Sequence, residues 1–199
     1  MVRLPDGVEL VLASGSPRRR ELLTQLGLDF VVRPADIDET PRTGEDPEEY
    51  VRRLAATKAA AVAGSDEIVV AADTTVAVDG VILEKPVDRD DARRMLRLLS
   101  GRVHRCHTGV TVLDAGCGSE SAVTIVVTTE VEFVPLDEYA VEWYLATGEA
   151  DDKAGAYGIQ GAAGAFVRSV RGSVTNVVGL PVAETLDLLR ATATTTSRP

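Results

Sequence analysis

Leu10-Val11-Leu12-Ala13-Ser14-Gly15-Ser16-Pro17-Arg18-Arg19-Arg20-Glu21-Leu22-Leu23 is the stretch whose reading decides the fold. Its four leading apolar residues read as a short buried strand, and Ser14-Gly15-Ser16 as a tight turn. Ser16 then stands where a helix N-cap is expected, Pro17 at the first helical position, and Leu22, Leu23 and Leu26 on one apolar stripe. A strand, a turn and a helix in that order are the unit of an α/β fold. The three arginines in the first helical turn run against the helix dipole, which favours Asp or Glu there. Backbone N–H groups, two serine hydroxyls and guanidinium forks converge on one spot, which suits a phosphate chain. A solvated basic turn is the alternative reading.

The bulk properties narrow the class. A chain of 199 residues with 45% hydrophobic and 26% charged residues can bury a sizeable core. No apolar run is long enough to span a bilayer, and the start carries no secretory pattern, so the expected location is the cytoplasm. A net charge of −10 argues against general attraction to nucleic acid or an anionic membrane. An acidic protein that handles an anion must gather its cations locally, which makes Arg18, Arg19, Arg20 and the three lysines, Lys58, Lys85 and Lys153, informative. Cys106 and Cys117 sit in no CxxC pair and read as reduced apolar fillers. His104 and His107 flank Cys106, but two histidines without a further ligand cluster make a weak zinc signal.

Beyond the first helix, Phe30-Val31-Val32-Arg33 reads as a strand, followed by an acidic loop holding Asp36, Asp38 and Glu39. Three carboxylates so close can hold a hard cation or simply face solvent, and the stretch alone leaves both open. Asp46-Pro47-Glu48-Glu49 starts a helix. Its periodicity puts Lys58 on or beside the apolar face, either snorkelling to an edge or pointing into a cleft. Ile68–Ala72 reads as a central strand buried on both faces, ending at Asp73-Thr74-Thr75. A carboxylate at the end of a buried strand is where α/β sheets hold ligand chemistry. No helix follows for Asp73 to cap, because Val76–Leu83 reads as a hairpin around Asp79-Gly80.

Asp88 to Leu99 reads as a helix, Val103–Leu113 and Val123–Phe133 as a long hairpin, and Leu136–Ala146 as another helix. Asp151–Gly161, with its glycines, carboxylates, Lys153 and Gln160, reads as a ligand-presenting loop. Ala165–Val170 and Val174–Val178 read as a second hairpin around Arg171-Gly172. Pro181 opens a last helix to about Leu189. The expected organisation is a single domain over residues 1–190 and a disordered tail over 191–199, with no internal repeat or linker.

Six blocks carry a resemblance: the Ser14–Leu23 segment, Ala72-Asp73-Thr74, Glu84-Lys85-Pro86, Leu99-Ser100-Gly101, Asp152–Gly161 and Val178-Gly179-Leu180-Pro181. Together, and in this order, they resemble the Maf family of nucleoside triphosphate pyrophosphatases from about Leu10 to Leu189. The resemblance implies an α/β fold similar to that of inosine triphosphate pyrophosphatases, an elongated mixed sheet with two lobes around a central cleft. It implies hydrolysis of a nucleoside triphosphate to monophosphate and pyrophosphate, assisted by Mg²⁺ or Mn²⁺, as a house-cleaning activity of a homodimer. The paired arginines, the lysine before proline and the Gly-Ile-Gln-Gly loop look like the dTTP/UTP branch rather than the branch that prefers 7-methyl-GTP.

Carried over by motif, Asp73, Glu39 and Lys58 are the catalytic positions. Ser14, Arg18, Arg19, Lys85 and Gln160 are the substrate-binding ones, and Asp73 and Glu39 the metal ligands. Asp38 lies beside Glu39 in a variable loop and can share its role. The chemistry of these residue types agrees. Four cations suit a polyphosphate, a carboxylate pair suits a divalent cation or a general base, and Gln160 offers an amide edge to a pyrimidine. Whether Asp73 acts as ligand or base stays open at this level. A nucleotide-sensing regulator of cell division without turnover is the alternative from another class, disfavoured because a pure sensor does not need Asp73.

Overall fold

The computed structural model describes residues 4–195 apart from Asp6. Its centre is a seven-stranded mixed sheet in the order β2-β1-β3-β5-β6-β7, with β4 attached to β3. The strands are β1 (Glu9–Leu12), β2 (Val31–Val32), β3 (Glu67–Val78), β4 (Val81–Leu83), β5 (Val103–Asp114), β6 (Val123–Phe133) and β7 (Val167–Arg171). The helices are α1 (Pro17–Gln25), α2 (Pro47–Val62), α3 (Arg89–Leu99), α4 (Glu138–Leu145), α5 (Val174–Val178) and α6 (Val182–Thr195). β1 runs parallel to β2 and β3, and every other pairing is antiparallel.

The site arises from a gap in one strand's pairing. On one side β3 pairs continuously with β5, from Ile68 opposite Asp114 to Ala77 opposite Arg105. On the other side β1 pairs only as far as Leu12 opposite Val70, and β4 begins at Val76 opposite Leu83. Residues 71–75 of β3 therefore have no strand neighbour on that side, and the sheet parts there into two lobes. One lobe packs Leu10, Leu12, Leu23, Val70, Val110 and Leu180. The other packs Val76, Leu96, Leu99, Phe133, Tyr144 and Phe166. Asp73 is thus not at a strand end, as the sequence reading had it, but in the middle of a strand whose edge is open. The Val76–Val78 run that reads as a separate hairpin arm is the same strand continuing.

Local chemistry accounts for most element boundaries. Asp46 caps α2 by accepting from the Glu48 and Glu49 N–H groups, Asp88 caps α3 through Asp91, and Asp137 caps α4 through Ala140. The two-residue Asp79-Gly80 turn has positive φ at both positions, 53° and 78°, the geometry that joins tightly paired strands. Ser16 holds the N-cap position of α1, yet its hydroxyl makes no capping bond.

Two expectations are corrected. Val174–Val178 is helix α5 rather than a strand: Ser173 Oγ accepts from the Asn176 N–H, and Val174, Val177 and Val178 recur at helical spacing. The buried Asn176 amide donates to the Cys106 carbonyl and to Thr129 Oγ1, tying this short helix to β5 and β6. The last helix runs past Leu189 to Thr195, so the first five residues of the expected tail are helical; residues 196–199 lie outside the described residues. Cys106 is buried as expected, whereas Cys117 is exposed.

Helix α2 lies directly on the sheet at Gly109. A Cβ at that position would run into the Val51 carbonyl, a backbone group with nowhere to move. Gly109→Ala is expected to cost roughly 1–3 kcal/mol of stability, as overpacking does. Chemical denaturation measures it, and an unchanged midpoint would show that α2 can lift without penalty.

Candidate active site

The parted sheet opens a cleft of about 750 Å³. Ser14, Arg18, Arg19, Glu39, Lys58, Asp73, Lys85 and Gln160 all line it, so all eight residues named from the sequence come together. They arrive from both faces of the sheet, because alternate side chains of β3 point opposite ways. Asp73 faces α2, and Thr74 faces the opposite layer.

On the α2 side, Lys58 Nζ donates to Asp73 Oδ1 at 2.6 Å and pairs with Glu39 Oε1 at 2.8 Å. Lys58 therefore points into the cleft rather than snorkelling outward. Asp73 and Lys58 are only 6% and 7% exposed. Burial pushes the Asp73 carboxyl above its ordinary range; Lys58 and Arg19 oppose that push, and Glu39 adds to it. Glu39 itself is exposed on its loop. Tyr50, in the first turn of α2, donates its hydroxyl to the Glu39 carbonyl at 2.9 Å and so fixes that loop. Asp38 instead accepts from the Thr40 N–H and does not line the cleft.

On the other side the consecutive arginines divide the work. Arg19 is 9% exposed and spends its donors inside the protein. Nε donates to the Gly179 carbonyl at 2.7 Å, one terminal nitrogen to Ser14 Oγ at 3.0 Å and the other to Thr74 Oγ1 at 3.0 Å. Burial lowers its pKa, with Asp73 pulling the other way. Arg19 forms the floor where the Val178–Pro181 block meets β3. That explains the block's presence in the pattern: its glycine carbonyl is an acceptor for Arg19 and, at 3.3 Å, for Thr74. Arg18 is half-exposed and reaches across the cleft mouth to Asp152 at 3.5 Å. Arg20 is exposed and does not line the cleft.

The rim is polar and open. Lys85 and Gln160 are exposed, and neither side chain makes a bond within the described residues. Lys153 donates to Asp152 Oδ1 at 2.5 Å and to the Glu149 carbonyl at 2.8 Å. Asp152 lines the cleft, as its place in the ligand-presenting Asp151–Gly161 loop predicts, and Glu149, which lies before that loop and carries no local signal, lines it too.

The donor set suits one kind of cation. Among the described residues there is no group of three or more His, Cys, Asp or Glu that forms a closed cage. Two carboxylates, Asp73 and Glu39, converge on Lys58 at one wall of a cleft whose rim holds Lys85 unpaired and Arg18 half-exposed, both in reach of phosphate oxygens. One or two carboxylates completed by phosphate is the mode of Mg²⁺ rather than of an all-protein site. His104 and His107 do not share a centre. They stand on opposite faces of β5, His104 on Tyr157 at 2.8 Å and His107 on Thr128 at 2.9 Å. No helix among the described residues is long and apolar enough to cross a membrane.

Comparison with known proteins follows the same boundaries. Residues 9–192 match the model of the Maf-like protein family. A dTTP/UTP pyrophosphatase from Anaeromyxobacter dehalogenans (strain 2CP-C) is 58% identical over 181 residues, covering 91% of this chain and 92% of that one. A dTTP/UTP pyrophosphatase from Pelotomaculum thermopropionicum is 50% identical over 184 residues, covering 92% and 95%. Among solved structures, a HAM1 protein from Coxiella burnetii is 17% identical, covering 95% of this chain and 100% of that chain at a TM-score of 0.49. The family match takes in every element of the sheet and every wall of the cleft, and on it the chain belongs to the Maf-like protein family.

Proposed function

We propose that this protein hydrolyses dTTP and UTP to the monophosphate and pyrophosphate, with Mg²⁺ or Mn²⁺ as cofactor. The observation that carries the reading is the buried Asp73–Lys58 pair, joined by the exposed Glu39, set in a cleft whose rim cations, Lys85 and Arg18, are accessible. The names of its relatives point to the same substrates. A homodimer is the assembly the family resemblance favours.

In this reading the cleavage breaks the bond between the α-phosphorus and the α–β bridging oxygen. Water attacks the α-phosphorus, the bridging oxygen leaves on pyrophosphate, and the water's proton passes to Asp73. A carboxyl held above its ordinary range by burial is a better proton acceptor than an exposed one. Lys58 keeps Asp73 oriented and ionised before the attack. Arg18 and Lys85 bind the phosphate oxygens on which charge gathers, and Lys85 has no internal carboxylate to give up first. Arg19 holds Ser14 and Thr74 in place beneath them. A divalent cation held by Asp73 and Glu39 would neutralise phosphate charge through the transition state. Gln160, with a free amide, reads the base edge.

The direct test is product analysis. Pyrophosphate and the monophosphate are expected from dTTP and UTP, in a reaction that stops when the divalent cation is chelated. UDP with orthophosphate would instead mean cleavage at the γ-phosphate and would overturn the assignment.

Base and phosphate contacts separate kinetically. Gln160→Ala is expected to cost the preferred pyrimidine substrates roughly 1–3 kcal/mol in kcat/KM, narrowing the spread across dTTP, UTP, CTP and GTP. Lys85→Ala is expected to lower all four together, because every nucleotide carries the same phosphates. A Gln160→Ala enzyme with the wild-type order and spacing would move base reading elsewhere.

A further inference from the structure

The two ends of the loop that carries Gln160 are fastened by side chains that do not enter the proposed chemistry. Gly158 donates its N–H to Tyr144 Oη at 3.1 Å, and the Lys153 stem lies where a Cβ on Gly158 would fall, 2.6 Å from its Cε. Ile159 packs against both hydrophobic clusters. Gln160 then turns out to the cleft. Immediately afterwards, Glu149 Oε2 accepts the Ala162 N–H at 2.9 Å. The same carboxylate covers Gly161 so closely that a Cβ there would collide with it. Gly161 has φ −99°, a value open to any residue, so its lack of a side chain is a matter of space for Glu149 and not of backbone conformation.

We infer that Glu149 is a positioning residue for nucleotide selectivity: it clamps the Gly161–Ala162 backbone and thereby aims the Gln160 amide at the base. The inference rests on Gln160 being the base reader. It extends that reading to a residue eleven positions upstream, on the turn that follows α4. The clamp has one charge-assisted joint, a carboxylate accepting a backbone N–H just past the loop tip, added to the Gly161 N–H to Gly158 carbonyl bond that closes the turn. Lys153 secures the Glu149 main chain from the other side by donating to its carbonyl. Without the carboxylate, the Ala162 N–H loses its partner, and the loop tip keeps only the packing of Ile159 and the backbone bonds of Gly161, its N–H to the Gly158 carbonyl and its carbonyl to the Gly164 N–H, both at 3.0 Å. A glutamine that samples several directions still meets the base but no longer separates one base edge from another.

The test compares kcat/KM for UTP and GTP in the wild type, Gln160→Ala, Glu149→Ala, Glu149→Gln, Gly161→Ala and the double variant Glu149→Ala/Gly161→Ala. Pyrophosphate is included as a product inhibitor. The UTP/GTP ratio of Glu149→Ala is expected to collapse to that of Gln160→Ala, a loss of about tenfold or more. Glu149→Gln keeps an oxygen that can accept the Ala162 N–H and is expected to restore most of the ratio. Gly161→Ala, which drives the carboxylate off its seat, is expected to mimic Glu149→Ala and to add nothing on top of it. Pyrophosphate inhibition is expected to stay unchanged throughout, a result that general unfolding of the cleft would not give. Should Glu149→Ala fail to fold, Gly161→Ala carries the same comparison. A wild-type ratio in both Glu149→Ala and Gly161→Ala, beside a collapsed ratio in Gln160→Ala, refutes the clamp. A wild-type ratio in Gln160→Ala itself refutes the base reader, and the clamp with it.

Discussion

Asp73→Asn is expected to lower kcat by about a hundredfold or more while the protein stays folded. Asparagine keeps the size of the side chain and one acceptor oxygen, so Lys58 can still donate to position 73. What disappears is the charge, and with it both the proton acceptor and the cation ligand. The fold should tolerate this, because a buried carboxylate carries a desolvation cost that a neutral amide does not. Lys58 also keeps Glu39, 2.8 Å away, as an ionic partner. The measurement is steady-state turnover alongside a thermal melt. Near-wild-type kcat in a folded Asp73→Asn protein removes Asp73 from the mechanism. A collapse of the melt would mean that the charge is structural and would leave the kinetic loss unassigned to chemistry.

Much of this arrangement is legible in the sequence, and what is not has definable physical causes. The Asp79-Gly80 turn, the Asp46-Pro47 and Asp88 helix starts and the long β5–β6 hairpin are local signals, and local signals survive folding. Asp73 reads from sequence as a strand-end carboxylate, and the folded sheet puts it in the cleft for another reason. Its strand does not end there; instead β1 stops at Leu12 and β4 begins at Val81, and that gap depends on pairing partners far along the chain. The Val174–Val178 segment reads as a strand because three valines in five residues carry β propensity, and the Ser173 cap outweighs it.

The paired arginines show the limit most clearly. Adjacent residues of one type on one helical turn look equivalent, yet a step of one residue around the helix sends Arg19 into the interior and Arg18 to the cleft mouth. Arg19's partners, Gly179 and Thr74, lie 160 and 55 residues away, beyond the reach of any spacing argument. Glu149 is invisible for the same reason. Its role depends on a glycine whose absent side chain only the folded loop explains.

Lys58→Met tests the other half of the buried pair and is expected to have the largest effect on stability. Methionine fills a similar volume but leaves the Asp73 carboxylate without its nearest counter-charge. Removing one member of a buried ion pair typically costs about 3–5 kcal/mol, more than the pair itself contributes, because the remaining charge stays desolvated. The groups that still face Asp73 are Arg19, which favours its ionised form, and Glu39, which opposes it. The loss of Lys58 therefore moves the Asp73 pKa further above its ordinary value of 3.8.

The direction of the pH dependence follows from that. A carboxyl whose pKa is higher in the folded state than in the unfolded one binds protons more readily when folded. Its favourable contribution is complete below the unfolded pKa and is lost as pH rises through the folded one. Relative to wild type, Lys58→Met should therefore lose more stability at pH 8 than at pH 5, because Asp73, its pKa raised further, takes up a proton more readily as pH falls and relieves the buried charge. The acidic limb of kcat/KM, where any activity remains, should shift to higher pH for the same reason. Denaturant unfolding of both proteins at the two pH values supplies the measurement. An equal loss at pH 5 and pH 8 would mean that Asp73 does not titrate between them, and that the lysine's contribution is packing rather than charge.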